Sequence, residues 1–293
     1  MELAKILLLN DDGPNSPPFL AFWKELMRSN IGELYTITPE HEMSAAGKGL
    51  TLHKPLRLYK RVIEVDGEKG ILYLTNGTPG DCVVVAIDLV IGSKPDLVIS
   101  GINKGDNTTI DNLFTSGTIA GALQGVLNGA KAAAFSTEIP IGEFELEIDH
   151  FKPHAKIAVR ISKWLVENEL PGIHLLNVNF PYRVTEKTPI RLTKLGWTKF
   201  TNYVLERLDP RGRPYYWIAS TFKDLTTEGP DTDVYALEAE KAISITPIKL
   251  DLSIFSFMEE DPTNLKKQAE EAIRKLKELI STLEKMKEEI FIR

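Results

Sequence analysis

The stretch from Leu3 to Gly13 constrains the fold more than any other, because its apolar run Ile6-Leu7-Leu8-Leu9 stops abruptly at Asn10-Asp11-Asp12-Gly13. Ile6 to Leu9 shows no polar alternation, so it reads as a strand covered on both faces, as central parallel strands under helices are. Asn10, Asp11 and Asp12 then stand at its carboxyl end, where open α/β sheets bind ligands in the crevice at which the strand order reverses. Two neighbouring carboxylates in such a crevice repel each other unless a cation lies between them or one keeps its proton. A divalent metal is the economical answer. The alternative is a plain tight turn, since Asx side chains bond their own backbone and glycine accepts positive φ.

The remainder of the chain repeats the strand-then-helix theme. Pro14-Asn15-Ser16-Pro17-Pro18 opens a helix with Leu20, Trp23, Leu26 and Met27 at helical spacing, and Leu34 to Thr38 reads as the second strand. The polar loop from Glu40 to Leu52, containing Ser44, follows that strand's carboxyl end and so reaches the same crevice. Arg57–Tyr59, Val62–Val65 and Gly70–Thr75 predict short extended pieces in an edge excursion, the last two joined by the hairpin signal Asp66-Gly67. Thr78-Pro79-Gly80-Asp81 opens a helix whose Val83, Val84, Ile87, Leu89 and Val90 fill most of its circumference, which predicts deep burial.

Pro95 to Ser100 is a second strand of the buried type, again running into polar chemistry at Gly101-Ile102-Asn103-Lys104-Gly105-Asp106-Asn107. Ser116-Gly117-Thr118 then launches a helix with hydroxyls and glycine in its first turn, either as a simple N-cap or as a phosphate site built from free N–H groups. Ala132–Ser136, a helix over Phe151–Leu170 and His174–Val178 continue the alternation, which predicts a doubly wound, mostly parallel, Rossmann-like α/β sheet. From Ile190 the pattern changes to extended segments around Asp209-Pro210-Arg211-Gly212-Arg213-Pro214, predicting a β-hairpin arm. Ala242–Ile248 returns as a strand, and the tail from Pro262 forms a C-terminal helix. The chain thus divides into a catalytic α/β domain over 1–189 and an arm, returning strand and oligomerisation helix over 190–293.

A formal net charge of −6 argues against a nucleic-acid partner, which calls for a basic stripe. The single cysteine, Cys82, excludes an internal disulfide and a cysteine-based zinc centre, and a cytoplasmic setting fits. No apolar run is long enough to span a membrane. The Gly-x-Gly-x-x-Gly pattern of dinucleotide enzymes is missing after the first strand.

Asn10-Asp11-Asp12-Gly13, the Ser44 loop, Ser100-Gly101-Ile102-Asn103 with Asn107, and Ser116-Gly117-Thr118 together resemble the SurE survival-protein family of metal-dependent nucleotidases and phosphatases. Asp209 to Trp217, Asp231-Thr232-Asp233 and Ile243 to Pro247 are similar to that family as well. The resemblance implies that Asp11, Asp12, Ser44 and Asn103 hold one divalent metal ion per subunit, with Asp11 and Asp12 at the catalytic centre. It implies that Asn107, Ser116, Gly117 and Thr118 hold the phosphate of a nucleoside 5'-monophosphate, with short polyphosphate as a further candidate. Met43, Phe114 and Thr115 depart from the residues common in the family, which bears on substrate preference.

Carboxylate, hydroxyl and amide oxygens are hard ligands suited to Mg²⁺ or Mn²⁺. A metal-activated water is the favoured nucleophile, because adjacent aspartates diverge and so suit an aspartyl-phosphate route poorly. A noncatalytic nucleotide-binding scaffold in stress response is the alternative function.

In the tail, Leu265, Ala269, Ala272, Leu276, Leu279, Leu283, Met286 and Ile290 form a heptad seam that predicts a homodimer or homotetramer, unless the seam packs on its own domain.

Overall fold

The computed structural model describes residues 3–143, 145–223, 228–251 and 262–292, without side chains at 262–265, 288 and 292. The first strand, β1 (Lys5–Leu9), sends Ile6 and Leu8 into one hydrophobic layer and Leu7 and Leu9 into the other, so it is buried on both faces as its unbroken apolar run requires. It pairs in parallel with β2 (Glu33–Pro39) on one side and β5 (Leu97–Lys104) on the other. Beyond β2 lie β4 (Glu68–Thr75), parallel, and β3 (Leu58–Val65), antiparallel at the edge. The β3–β4 hairpin turns on Asp66 and Gly67, both at positive φ. It is therefore no detached excursion, because β4 extends the parallel sheet.

On the other flank β6 (Lys131–Thr137) and β7 (Leu175–Phe180) continue the parallel run. The sheet is completed by β11 (Ile243–Ile248), antiparallel to β7, and β8 (Ile190–Leu192), parallel to β11. Both strands come from the segment beyond residue 189, so that segment contributes to the main sheet, while its hairpin forms a sheet of its own. The final order is β3-β4-β2-β1-β5-β6-β7-β11-β8. The chain leaves β1 in one direction and returns through β5 in the other, which puts the topological switch point between these two strands.

Helices α1 (Pro17–Ser29) and α5 (Lys152–Glu167) cover one face with Phe19, Phe22, Trp23, Ile157 and Ile161. Helices α2 (Pro79–Val85) and α4 (Gly117–Leu127) cover the other with Cys82, Val83, Ile119 and Ala122. Thr78 and Asp81 close a capping box on α2, Thr78 Oγ1 accepting from the Asp81 N–H at 3.1 Å and Asp81 Oδ2 from the Thr78 N–H at 2.8 Å. The helix continues as a π-turn over Ala86–Ile91, and Val84 and Leu89 face outward, 37 % and 70 % exposed, where all-round burial was expected. A Cβ added at Gly121 would lie 2.5 Å from Leu9 Cδ1, so glycine there lets α4 settle closely on the sheet.

The hairpin of β9 (Phe200–Leu208) and β10 (Pro214–Phe222) forms a separate two-stranded sheet that exposes Tyr203, Val204, Tyr216, Trp217 and Ile218. Its base is fixed by α6 (Asp233–Glu238): buried Lys199 pairs with Glu238 at 2.5 Å and with Asp106 at 2.7 Å.

The last helix, α7 (Pro262–Ile292), buries Ala272, Leu276, Leu279, Leu283 and Ile290, and four of these leucine and isoleucine side chains join the same layer as α5. Lys287 donates to the Thr188 carbonyl, and Glu284 accepts from the Ile190 N–H at 3.1 Å. The heptad seam is thus occupied by the helix's own domain, while Ala269 is exposed and the side chain of Leu265 lies outside the described residues.

Candidate metal and phosphate site

Asp11 and Asp12, in the bend just beyond β1, are held in different directions. Asp11 turns toward the start of α4, where buried Thr118 donates its hydroxyl to Asp11 Oδ1. A Cβ on Gly117 would lie 2.7 Å from Asp11 Oδ2, so only glycine permits this approach of helix to carboxylate. Asp12 turns toward the end of β5, accepting from the Lys104 N–H at 2.8 Å and from Ser16 Oγ at 3.3 Å. Ser16 is the residue before α1, and it spends its hydroxyl on Asp12 rather than on capping that helix.

Both carboxyl groups are held well above the ordinary carboxylate range. Desolvation by burial is the larger cause for each, pushing Asp11 up to about 6 and Asp12 up to about 7. The charge of Asp11 adds to the rise at Asp12, while the Thr118 hydroxyl opposes the rise at Asp11.

The other predicted ligands approach from two loops. The backbone N–H of Met43 donates to the Asp11 carbonyl at 2.8 Å and that of Gly47 to the Thr115 carbonyl at 2.9 Å, so the Ser44 loop is pinned beside the acid pair. Ser44 itself is exposed and donates to Glu42 Oε1 at 2.8 Å. Asn103, nearly buried at the end of β5, spends its Nδ2 on the Gly105 carbonyl at 2.7 Å, which leaves its amide oxygen as the outward donor atom.

Of the predicted phosphate residues, Ser116 is the N-cap of α4, accepting from the Ile119 N–H at 3.1 Å, and its own O–H proton is left over for another acceptor. Gly117 and Thr118 supply the first two backbone N–H groups of the helix. Asn107 is fixed from three sides: its N–H donates to Asn179 Oδ1 at 2.7 Å, its Nδ2 to Ser136 Oγ at 2.7 Å, and its carbonyl accepts from Asn177 Nδ2 at 2.8 Å. One amide proton of Asn107 is then uncommitted. Thr109, at positive φ, follows in a loop held by Asp233, which accepts from the N–H groups of Thr109 at 2.9 Å and Gly196 at 2.8 Å.

Sequence reasoning gave no role to Ser136, Asn177, Asn179, Asp233 or Lys104. The Nζ of Lys104 stands 3.8 Å from Asp12 Oδ1 and 3.6 Å from Glu42 Oε2. A signal did exist for the asparagines: Asn177 and Asn179 share one face of an otherwise apolar, wholly buried strand.

The donor set fits a hard cation. Around the tip the surplus is of acceptors: the two carboxylates are joined by Asn10 Oδ1, a buried oxygen that accepts no hydrogen bond. Among the described residues no group of three or more His, Cys, Asp or Glu side chains could hold a metal, so only a mixed set of carboxylate, hydroxyl and amide oxygens is on offer.

A doubly wound α/β sheet with an acid pair at its switch point, facing a helix N-terminus, is the architecture of a phosphate-handling protein with an oxygen-donor centre. The comparisons narrow this class. The chain is 41% identical over 256 residues to the 5'-nucleotidase SurE of Moorella thermoacetica, covering 87% of this chain and 94% of that one. It is 38% identical over 253 residues to the 5'-nucleotidase SurE of Hyperthermus butylicus, covering 86% of each. The crystal structure of the SurE protein from Aquifex aeolicus superposes with a TM-score of 0.68 at 33% identity, covering 87% of this chain and 96% of that one. The family model for survival protein SurE matches residues 6–202, and the chain belongs to that family.

Proposed function

We propose that the chain is a 5'-nucleotidase, a phosphoric monoester hydrolase that converts nucleoside 5'-monophosphates to nucleoside and phosphate with one divalent cation, Mg²⁺ or Mn²⁺, per subunit. The observation that carries this is the buried Asp11–Asp12 pair at the tip of β1, with Asp11 held directly under the N-terminus of α4 and Asp12 held by the end of β5. The names of the relatives point to the same activity. Asp11, Asp12, Ser44 and Asn103 would hold the cation, which when bound supplies Lewis-acid polarisation of a phosphoryl oxygen and acidifies water.

The chain's own residues then do the rest. Thr118 holds Asp11 Oδ1 and the Lys104 N–H holds Asp12 Oδ2, so the two carboxyl groups keep separate orientations. The spare proton of Asn107, the hydroxyl of Ser116 and the N–H groups of Gly117 and Thr118 would serve as donors for the equatorial phosphoryl oxygens, aided by the helix dipole. A homodimer or homotetramer would be joined by the β9–β10 arm, whose exposed Tyr203, Val204, Tyr216, Trp217 and Ile218 make an apolar surface. No helix among the described residues is long and apolar enough to cross a membrane.

The deciding assay is phosphate release from AMP, GMP, pyrimidine nucleotides and short polyphosphate, each with Mg²⁺, Mn²⁺ and Zn²⁺. Metal-dependent turnover of the monophosphates is the expected result. Nucleotide binding with no turnover under any metal would replace the hydrolase with a nucleotide-binding scaffold.

A further inference from the structure

At the mouth of the site one cation faces an excess of acid. Lys104 follows Asn103 at the end of β5, and its backbone N–H anchors Asp12 at 2.8 Å. Its side chain is about a third exposed, and the ammonium stands 3.8 Å from Asp12 Oδ1 and 3.6 Å from Glu42 Oε2, beyond hydrogen-bond reach of either. Glu42 comes from the Ser44 loop, so the lysine bridges the two walls of the crevice without being bonded to either. An ammonium so placed is held near the site by charge yet keeps its donors for a stronger acceptor.

The charges decide what that acceptor is. With a divalent cation bound, ionised Asp11, Asp12 and Glu42 would still leave one negative charge uncompensated. An incoming phosphoryl group, itself anionic, would meet net repulsion. Lys104 supplies the missing positive charge on the solvent side, where the substrate arrives.

We propose that Lys104 is a substrate-binding residue whose ammonium leaves the carboxylates and donates to the phosphoryl oxygens of the incoming monoester. The proposal rests on the hydrolase reading and deepens it, by naming the group that lets an anionic substrate enter a carboxylate-lined site. A phosphate dianion outcompetes the two carboxylates because neither is within bonding distance, and a charge-assisted contact of this kind is worth roughly ten- to hundredfold in binding.

The test compares wild type, K104Q and K104R in two measurements. The first is steady-state kinetics on AMP with inorganic phosphate as competing product. The second is the Mn²⁺ concentration that half-saturates the metal-induced rise in Tm, without substrate. In K104Q the KM and the phosphate inhibition constant should rise roughly ten- to hundredfold with a smaller change in kcat, while the half-saturating Mn²⁺ concentration falls because a competing cation beside Asp12 is gone. K104R should recover most of the loss in KM. A KM and phosphate inhibition constant unchanged in K104Q would overturn the proposal. So would a variant in which phosphate and metal binding weaken together, since that is the mark of a purely structural lysine. If wild type releases no phosphate from any nucleotide, the hydrolase reading falls, and phosphate binding by calorimetry in Mn²⁺ decides Lys104 on its own.

Discussion

Replacing Asp12 by asparagine should stabilise the metal-free protein while abolishing activity. Burial, with the charge of Asp11 beside it, moves the Asp12 carboxyl from 3.8 up to about 7. At 1.36 kcal/mol per pH unit, the ionised form costs the fold about 4 kcal/mol. The unfolded chain gives up this proton near pH 4 and the folded chain near pH 7, so the native state binds more protons between these values. Stability therefore falls as pH rises through that window, and the cost is complete above it. Asparagine removes the cost but weakens the acceptance from the Lys104 N–H and Ser16 Oγ, a loss of about 1–2 kcal/mol.

The net gain at pH 8 in chelator is then about 2–3 kcal/mol, which raises Tm by about 4–12 °C at 2–4 °C per kcal/mol. At pH 5 the wild-type carboxyl is already protonated and the gap should close. Mn²⁺ at a hundredfold excess over Kd should close the gap, adding about 2.7 kcal/mol to wild type and far less to the variant, and a thousandfold excess, worth about 4.1 kcal/mol, should reverse the order. Thermal denaturation of both proteins at pH 5 and pH 8, with chelator or with Mn²⁺, reads all four conditions. A variant no more stable than wild type at pH 8 in chelator would refute the burial cost. Equal stabilisation of both proteins by Mn²⁺ would refute the ligand role.

Three further outcomes follow from the same geometry. T118V removes the hydroxyl that opposes the rise at Asp11, so the acid limb of the pH–rate profile should move to higher pH; an unmoved limb would separate Thr118 from the function of Asp11. S116A should cost about 1 kcal/mol as a lost N-cap and also raise KM for a phosphomonoester, and a fall in Tm with kinetics intact would leave Ser116 a cap alone. L283A, deep in the seam between α7 and its own domain, should lose about 2–5 kcal/mol by denaturant titration at unchanged mass in light scattering, whereas a drop in mass would place the seam between subunits.

The legible parts of the molecule are those whose cause is local. An apolar run without alternation can only be a strand covered on both faces, and β1 and β5 are such strands. Asp66-Gly67 and Thr78 to Asp81 announced their turn and cap because positive φ and capping are settled within four residues. The family motifs named the acid pair, Ser44 and Asn103 as one set before any coordinates. Two features escaped. The short helix α3 (Thr109–Thr115) was not expected, because the loop feeding it is held by Asp233, 124 positions further on. The seam of α7 has the periodicity of a coiled coil, and periodicity alone does not say whether the partner is another chain or its own α5.

The residues that hold the site share one property: their partners are set by strand register. Asp12 reaches Lys104 across 92 positions, and Asn107 reaches Asn179 across 72. Such pairs leave no spacing rule in the sequence, but they do leave a compositional trace. A strand buried on both faces carries asparagine where the amide gains at least one hydrogen bond, since a wholly unpaired buried amide is costly; Asn177 Nδ2 and Asn179 Oδ1 are bonded, while Asn177 Oδ1 and Asn179 Nδ2 have no partner among the described residues. Asn177 and Asn179 interrupt β7 in this way, and both point at the Asn107 loop. The polar interruption of a buried strand at its carboxyl end thus marks the wall of the site even where no motif does. In this chain that wall is what keeps Asn107 in place.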